Sequence, residues 1–234
     1  MKRYRDLFID FDDTLYDTHG NAVIALRELF EHYGWKRYFP DPEVFYDLYW
    51  RVNIDLWTRY SKGEITRDVL ILERFRQPLR AGIGLDPTVE YCLQVSDTFL
   101  DYCSVKPGLV DGAQEIMDYL KDKGYRLHMC SNGFHEVQYR KLASCGLTDY
   151  FDTVVLSEDA GANKPSPLFF DYALRRTNAD VETTVMIGDN FQTDIIGAKH
   201  AGLDTIFFNR FPDYPAPESV TQEVTDLRQL KDIL

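Results

Sequence analysis

Basic residues are scarce in this sequence relative to acids. Its 234 residues include 26 lysines and arginines against 38 aspartates and glutamates, a formal net charge of −12. A protein that grips a nucleic-acid polymer by its phosphates carries a basic face, and docking on an anionic membrane surface also requires clustered cations. The charge balance argues against both partners. Long apolar runs are missing too: no stretch approaches the ~18 apolar residues that a membrane span requires. The opening Met-Lys-Arg-Tyr-Arg is basic and leads into apolar residues, but Asp10, Asp12 and Asp13 interrupt that run too early for an export signal. Cysteines number four, Cys92, Cys103, Cys130 and Cys145, and none forms a Cys-x-x-Cys pair. A structural zinc site is therefore not indicated. The expectation is a cytoplasmic protein with reduced, mostly buried thiols. No internal repeat or low-complexity linker is present.

What is there is ordinary material for a globular chain. Hydrophobic residues make up 44% and charged residues 27%, which is enough to bury a sizeable core. Short apolar runs recur, each closed by polar residues. Leu7-Phe8-Ile9 ends at Asp10. Residues 126–130 end at Ser131-Asn132-Gly133, residues 153–156 at Ser157-Glu158, residues 184–187 at Gly188-Asp189, and residues 205–208 at Asn209. Runs of four or five residues without strict alternation read as strands buried on both faces. Helical segments separate them: 111–123, stopped by Gly124; 136–145, stopped by Gly146; 166–176, with Pro167 at its start; and 193–201, stopped by Gly202. Strands alternating with helices predict an α/β fold with a parallel sheet. A Pro-rich loop, 211–217, precedes a short last helix.

One connection breaks the rhythm. More than a hundred residues separate Asp10 from the run that begins at Arg126, where a crossover needs only about a dozen. The surplus is itself helical. Residues 21–33 and 67–80 read as helices, and Phe45, Tyr49, Val52 and Leu56 follow helical spacing. Asp86-Pro87 reads as a cap that opens a further helix with Val89, Leu93, Phe99 and Leu100 inward. The expected organisation is a core domain of residues 1–15 and 105–234, with a helical domain, 16–104, inserted after the first strand.

In open parallel sheets, ligands bind beyond the carboxyl ends of the strands. The residues at those ends are Asp10, Asp12, Asp13 and Thr14; Ser131, Asn132 and Gly133; and Gly188, Asp189 and Asn190. Lys164 lies in the loop after the third run, and Asp194 opens the helix after Asp189. Singly, each has an undistinguished explanation: a turn, a helix cap, a solvated loop, or compensation of a helix dipole. All four groups falling in order at successive strand ends are hard to assign to chance. Carboxylates crowded at one point repel, so they are partly protonated or bind a hard cation, and an oxygen-only donor set suits Mg²⁺.

In these four segments the sequence resembles the haloacid dehalogenase superfamily of hydrolases. Asp10-Phe11-Asp12-Asp13-Thr14-Leu15 resembles the family's nucleophile motif and Ser131-Asn132-Gly133 its second motif. Lys164-Pro165-Ser166-Pro167 resembles the lysine motif, and Gly188-Asp189-Asn190 with Asp194 the acidic motif. The resemblance spans the whole chain. It implies a Rossmann-like core with strand order 3-2-1-4-5 and a helical cap of the C1 class. It further implies Asp10 as nucleophile, and Asp12 as the acid that protonates the leaving oxygen and then activates water. Mg²⁺ would be held by Asp10, the Asp12 carbonyl and Asp189. Ser131 and Lys164 would act on the transferring phosphoryl group, with Thr14, Asn132 and Gly133 contacting substrate, and Asp13, Asn190 and Asp194 supporting the site.

Asp12 separates the branches of the superfamily. A dehalogenase has no leaving oxygen to protonate and typically lacks this second aspartate, so the sequence favours a phosphatase. In the insert, Asn53-Ile54-Asp55-Leu56-Trp57, Tyr60, residues 63–66 and Arg74-Phe75 resemble the cap of pyrimidine 5′-nucleotidases, as do residues 132–134 and 150–152 in the core. That implies a small nucleoside monophosphate such as dUMP, dTMP or UMP. The alternatives are a sugar phosphate or another metabolite ester, a 2-haloacid, or a non-catalytic binding role, with Trp57, Tyr60 and Phe75 serving only as cap core. The partner expected throughout is a small phosphorylated metabolite. Mg²⁺ and Lys164 would reverse the field locally in an acidic chain.

Overall fold

The inserted residues form four helices in the computed structural model, which describes residues 4–211, 220 and 222–234. These are α1 (Thr18–His32), α2 (Pro42–Ser61), α3 (Arg67–Leu79) and α4 (Val89–Ser104). The chain divides into two compact units, His19–Lys106 and a second made of Met1–Thr18 with Pro107–Leu234. The helical unit has its own aromatic core, in which Phe30, Trp35, Phe45, Tyr49, Phe75 and Phe99 are buried. Capping sets its helix starts: Asp41 precedes Pro42 and accepts the Glu43 N–H, and Thr66 accepts the Val69 N–H.

The start of α4 differs from the sequence expectation. Its cap is Thr88, which accepts the Tyr91 N–H, in place of Asp86. The buried stripe is Cys92, Val95, Ser96, Phe99 and Cys103, with i, i+3, i+4, i+7 spacing. Leu93 falls off that stripe and is 38% exposed, whereas Val89, three residues before Cys92, keeps its phase but is the first residue of the helix and is 47% exposed. The apolar character of Leu93 suggests an inward face that the phase of the helix does not give it.

The second unit is built on strands β1 (Asp6–Ile9), β2 (Arg126–Ser131), β3 (Thr153–Leu156), β4 (Thr184–Gly188), β5 (Asp204–Phe208) and β6 (Gln222–Val224). They form one wholly parallel sheet in the order β3-β2-β1-β4-β5-β6. This is the expected order, extended by a sixth strand that the sequence reading does not include. Residues 212–217 of the Pro-rich loop lie outside the described residues, and the last helix is a 3-10 segment, Leu227–Asp232.

Helices cover both faces of the sheet. Leu7, Ile9, Met129, Val185 and Ile187 pack with Ile116, Met117 and Leu120 of α5 (Ala113–Asp122). Phe8, Cys130, Val155 and Met186 point the other way, to Phe169, Phe170 and Ala173. This two-sided burial is why the runs do not alternate with polar residues. The remaining helices among the described residues are α6 (His135–Ser144), α7 (Ser157–Ala160), α8 (Pro167–Thr177) and α9 (Gly197–His200), the last entered through a wide π-type turn, Phe191–Ile196. Register then levels the site. Ile9 lies opposite Met129 on one side and Ile187 on the other, so β1, β2 and β4 deliver their terminal polar residues to one edge.

Candidate active site

Asp10 follows β1 and is 7% exposed. Its Oδ1 accepts from Lys164 Nζ at 2.6 Å, and its Oδ2 from the Thr14 hydroxyl at 3.1 Å. Lys164 is 1% exposed. Its ammonium also donates to Asp194 Oδ1 at 2.7 Å and to the Cys130 carbonyl at 2.7 Å, so its three N–H donors have three oxygen partners. The loop that carries it is fixed by Asn132. The Asn132 carboxamide donates to the Lys164 carbonyl at 2.9 Å and accepts the Lys164 backbone N–H at 2.8 Å.

The acidic segment after β4 is equally determined. The Thr14 hydroxyl accepts the Asp189 N–H at 3.1 Å and lies 3.0 Å from Asp189 Oδ1. Its single hydrogen can serve only one of the two carboxylates at a time. Asp194 is fully buried, and its Oδ2 accepts the Asn190 N–H at 3.1 Å. Asn190 caps the following turn by accepting from the N–H groups of Gln192 and Thr193. Gly188 has no side chain for a steric reason: a Cβ there would lie 2.3 Å from Asp194 Oδ2.

The carboxyl oxygens of Asp10, Asp189 and Asp194 approach within 4.8 Å of one another. Burial and the nearby carboxylates of Asp194 and Asp12 push Asp10 up to about 7, although Lys164 opposes them. Burial and the charges of Asp10, Asp194 and Asp13 raise Asp189 well above the usual carboxylate range. Burial alone would depress Lys164, but Asp10 and Asp194 outweigh it and keep the ammonium charged. Asp194 commits its oxygens to Lys164 and Asn190. Asp10 Oδ2 and Asp189 are left facing a hydroxyl that satisfies one of them. Two crowded, under-solvated carboxylate oxygens are a donor set that fits Mg²⁺.

The Asp12 side chain turns away from this cluster. Its Oδ1 accepts from Thr18 Oγ1 at 2.6 Å and from Lys141, and its Oδ2 accepts from Gln138. Burial would raise this carboxyl, but Lys141 beside it and the hydrogen bonds from Lys141, Thr18 and Gln138 hold it below the ordinary range. Ser131 is 1% exposed, and its Oγ accepts the Gly133 N–H at 3.0 Å. Asp13 adopts a left-handed φ of 61°, and Arg210 bridges it at 2.7 Å to Asp17 at 2.5 Å.

All the sequence-derived positions therefore gather at this edge of the sheet. Two stand otherwise than expected of substrate contacts: Thr14 is fully buried between the carboxylates, and Asn132 is engaged with the Lys164 backbone. Four residues escape the sequence reading: Thr18, Gln138, Lys141 and Arg210. For two of them a signal exists. The inward stripe of α6 is Val137, Gln138, Lys141 and Leu142, and polar residues inside an apolar stripe mark a buried polar network.

Comparison with known proteins gives a consistent result. The profile of the haloacid dehalogenase-like hydrolase family matches residues 6–202. The chain is 32% identical to the HAD-hydrolase YfnB of Bacillus subtilis, covering 100% of this chain and 97% of that protein. The magnesium-bound crystal structure of YfnB superposes with a TM-score of 0.88, at 31% identity and covering 100% and 99% of the two chains. The pyrimidine 5′-nucleotidase YjjG of Escherichia coli is 31% identical, with 97% and 96% covered. The glyceraldehyde 3-phosphate phosphatase of Methanothermobacter thermautotrophicus is 31% identical, with 97% and 98% covered.

Proposed function

This chain belongs to the haloacid dehalogenase-like hydrolases, and from that premise we propose that it is a Mg²⁺-dependent phosphomonoesterase working through an aspartyl-phosphate on Asp10. The observation that carries this reading is the Asp10–Lys164–Asp194 chain, a nucleophile with a fully engaged lysine beside it, next to a second aspartate held by other groups. Asp10 attacks phosphorus, the bond to the ester oxygen breaks, and Asp12, a carboxylate in the free protein that takes up a proton when the ester binds, supplies the proton that oxygen needs. Asp12 then takes a proton from the water that cleaves the acyl phosphate, releasing inorganic phosphate and regenerating both carboxyls. Asp10, Asp189 and the Asp12 backbone carbonyl would hold Mg²⁺, which when bound would supply neutralisation of phosphoryl charge. Lys164 offsets charge on Asp10 and the transferring group, while Asp194 and Thr14 hold these groups in place.

The substrate class is a small phosphorylated metabolite, with a nucleoside 5′-monophosphate as the first reading. The insert's resemblance to nucleotidase caps and the relationship to YjjG support it. Residues 19–106 serve in this reading as the cap. Phe75 is fully buried and belongs to the core of the helical unit, whereas Trp57 and Tyr60 are only partly buried. A sugar phosphate is the second reading, favoured by the glyceraldehyde 3-phosphate phosphatase relative. Purified protein is expected to hydrolyse p-nitrophenyl phosphate with Mg²⁺, to lose this in Asp10→Asn, and to release no halide from 2-chloropropionate. Full activity in Asp10→Asn refutes the reading, and a panel of nucleotides and sugar phosphates decides the ester.

A further inference from the structure

We propose that Gln138 is a positioning residue that locks the acid/base Asp12 to Ser131, and that this lock equips the enzyme for esters with poor leaving groups. The proposal rests on the phosphatase reading above. Gln138 is fully buried on α6. Its Nε2 donates to Asp12 Oδ2 and, at 2.6 Å, to Ser131 Oγ, so the two N–H bonds of one amide tie together residues more than a hundred positions apart. Its Oε1 has no partner among the described residues, which leaves the Nε2 pair as the side chain's polar anchorage. The site is shaped around this amide. At Gly133 a Cβ would lie 2.1 Å from Gln138 Nε2, so the glycine after Ser131-Asn132 admits the side chain. Lys141, one turn further along α6, takes the other oxygen of Asp12. Both oxygens are thereby engaged and the carboxyl cannot rotate freely about its last torsion.

The consequence is chemical. When Asp10 forms its bond to phosphorus and the ester P–O bond breaks, the electron pair goes to the leaving oxygen, and a proton from Asp12 neutralises it. A nitrophenolate leaves well without that proton, whereas an unactivated phenolate or an alkoxide depends on it. Orientation of Asp12 therefore matters in proportion to the basicity of the leaving group, and a native substrate that needs this lock is an unactivated ester.

The test is a leaving-group series of substituted phenyl phosphates, from p-nitrophenyl to unsubstituted phenyl, run with Mg²⁺ on wild type, Gln138→Met and Asp12→Asn. In Gln138→Met, kcat/KM, which reads the ester-cleaving step and not the later hydrolysis of the acyl phosphate common to all the esters, is expected to fall about 50-fold on phenyl phosphate but less than about fivefold on p-nitrophenyl phosphate, and the double variant Asp12→Asn/Gln138→Met is expected to be no steeper than Asp12→Asn alone. Equal losses across the series overturn the proposal and leave the phosphatase reading intact. Hydrolysis of none of the series by wild type overturns both. If Gln138→Met does not fold, Gln138→Leu, which also lacks a donor, is run in its place with the same steepening expected.

Discussion

Lowering the pH from 8 to 6 is expected to weaken Mg²⁺ binding by about tenfold, because the ion must displace protons from the carboxyls that would hold it. Asp10 is pushed up to about 7 in the metal-free protein by burial and by the neighbouring Asp194 and Asp12. At pH 8 it is mostly ionised and competition is slight. At pH 6 the protonated form dominates by about tenfold, so the apparent affinity falls by a similar factor, about 1.4 kcal/mol. Asp189, also raised, steepens the dependence further. The sign for stability follows from the same shift. A carboxyl whose pKa is higher folded than unfolded stabilises the fold below its unfolded value, and that contribution is lost as pH rises through about 7. Metal-free protein therefore loses this contribution towards pH 8, and added Mg²⁺ raises the melting temperature more at pH 8 than at pH 6. Isothermal titration in two buffers of different ionisation enthalpy reads both the affinity and the protons released. Equal affinities at pH 6 and pH 8, with no proton released at pH 6, refute the idea that carboxylate crowding creates the metal site.

Two further outcomes follow from the same geometry. Lys164→Met removes the cation between two buried carboxylates, at Asp10 and Asp194; in EDTA at pH 8 it is expected to cost about 3–5 kcal/mol by chemical denaturation, and a loss below about 1 kcal/mol contradicts a charged lysine paired with both. Gly188→Ala drives a methyl into Asp194 Oδ2, which Lys164 and Asn190 hold in place; about 2 kcal/mol of destabilisation and a sharp fall in activity are expected, and a wild-type melting temperature counts against so close an approach of Gly188 to Asp194.

Much of the site was legible because strand ends are punctuated. Buried strands require apolar side chains on both faces, and the chain must turn polar where it leaves the sheet. The breaks at Asp10, Ser131 and Gly188 therefore announce both the strand termini and the residues placed there. Lys164 is legible only through its order among the motifs. Gln138 and Lys141 leave only the trace of two polar residues inside the stripe of α6; polar residues on a helix ordinarily signal a solvated face, and their burial depends on which face α6 turns towards the sheet. Arg210 is hidden for a similar reason, since the residue it clamps, Asp13, lies 197 positions away in sequence. Leu93 shows the converse, where apolar identity suggests an inward face that the phase of α4 does not provide.

The sequence by itself determined the parallel α/β plan, the helical insert after the first strand, and the set of oxygen donors and one lysine at the strand ends. These are local matters of periodicity, punctuation and residue chemistry. Only the tertiary structure decided how those donors share their hydrogen bonds. It gives the whole of the Lys164 ammonium to three oxygens, makes Thr14 a buried bridge between Asp10 and Asp189, and turns the Asp12 side chain to Gln138 and Lys141. Those assignments depend on distances between residues remote in sequence, fixed by the register of β1 against β2 and β4 and by the packing of α6, and no local pattern encodes a distance.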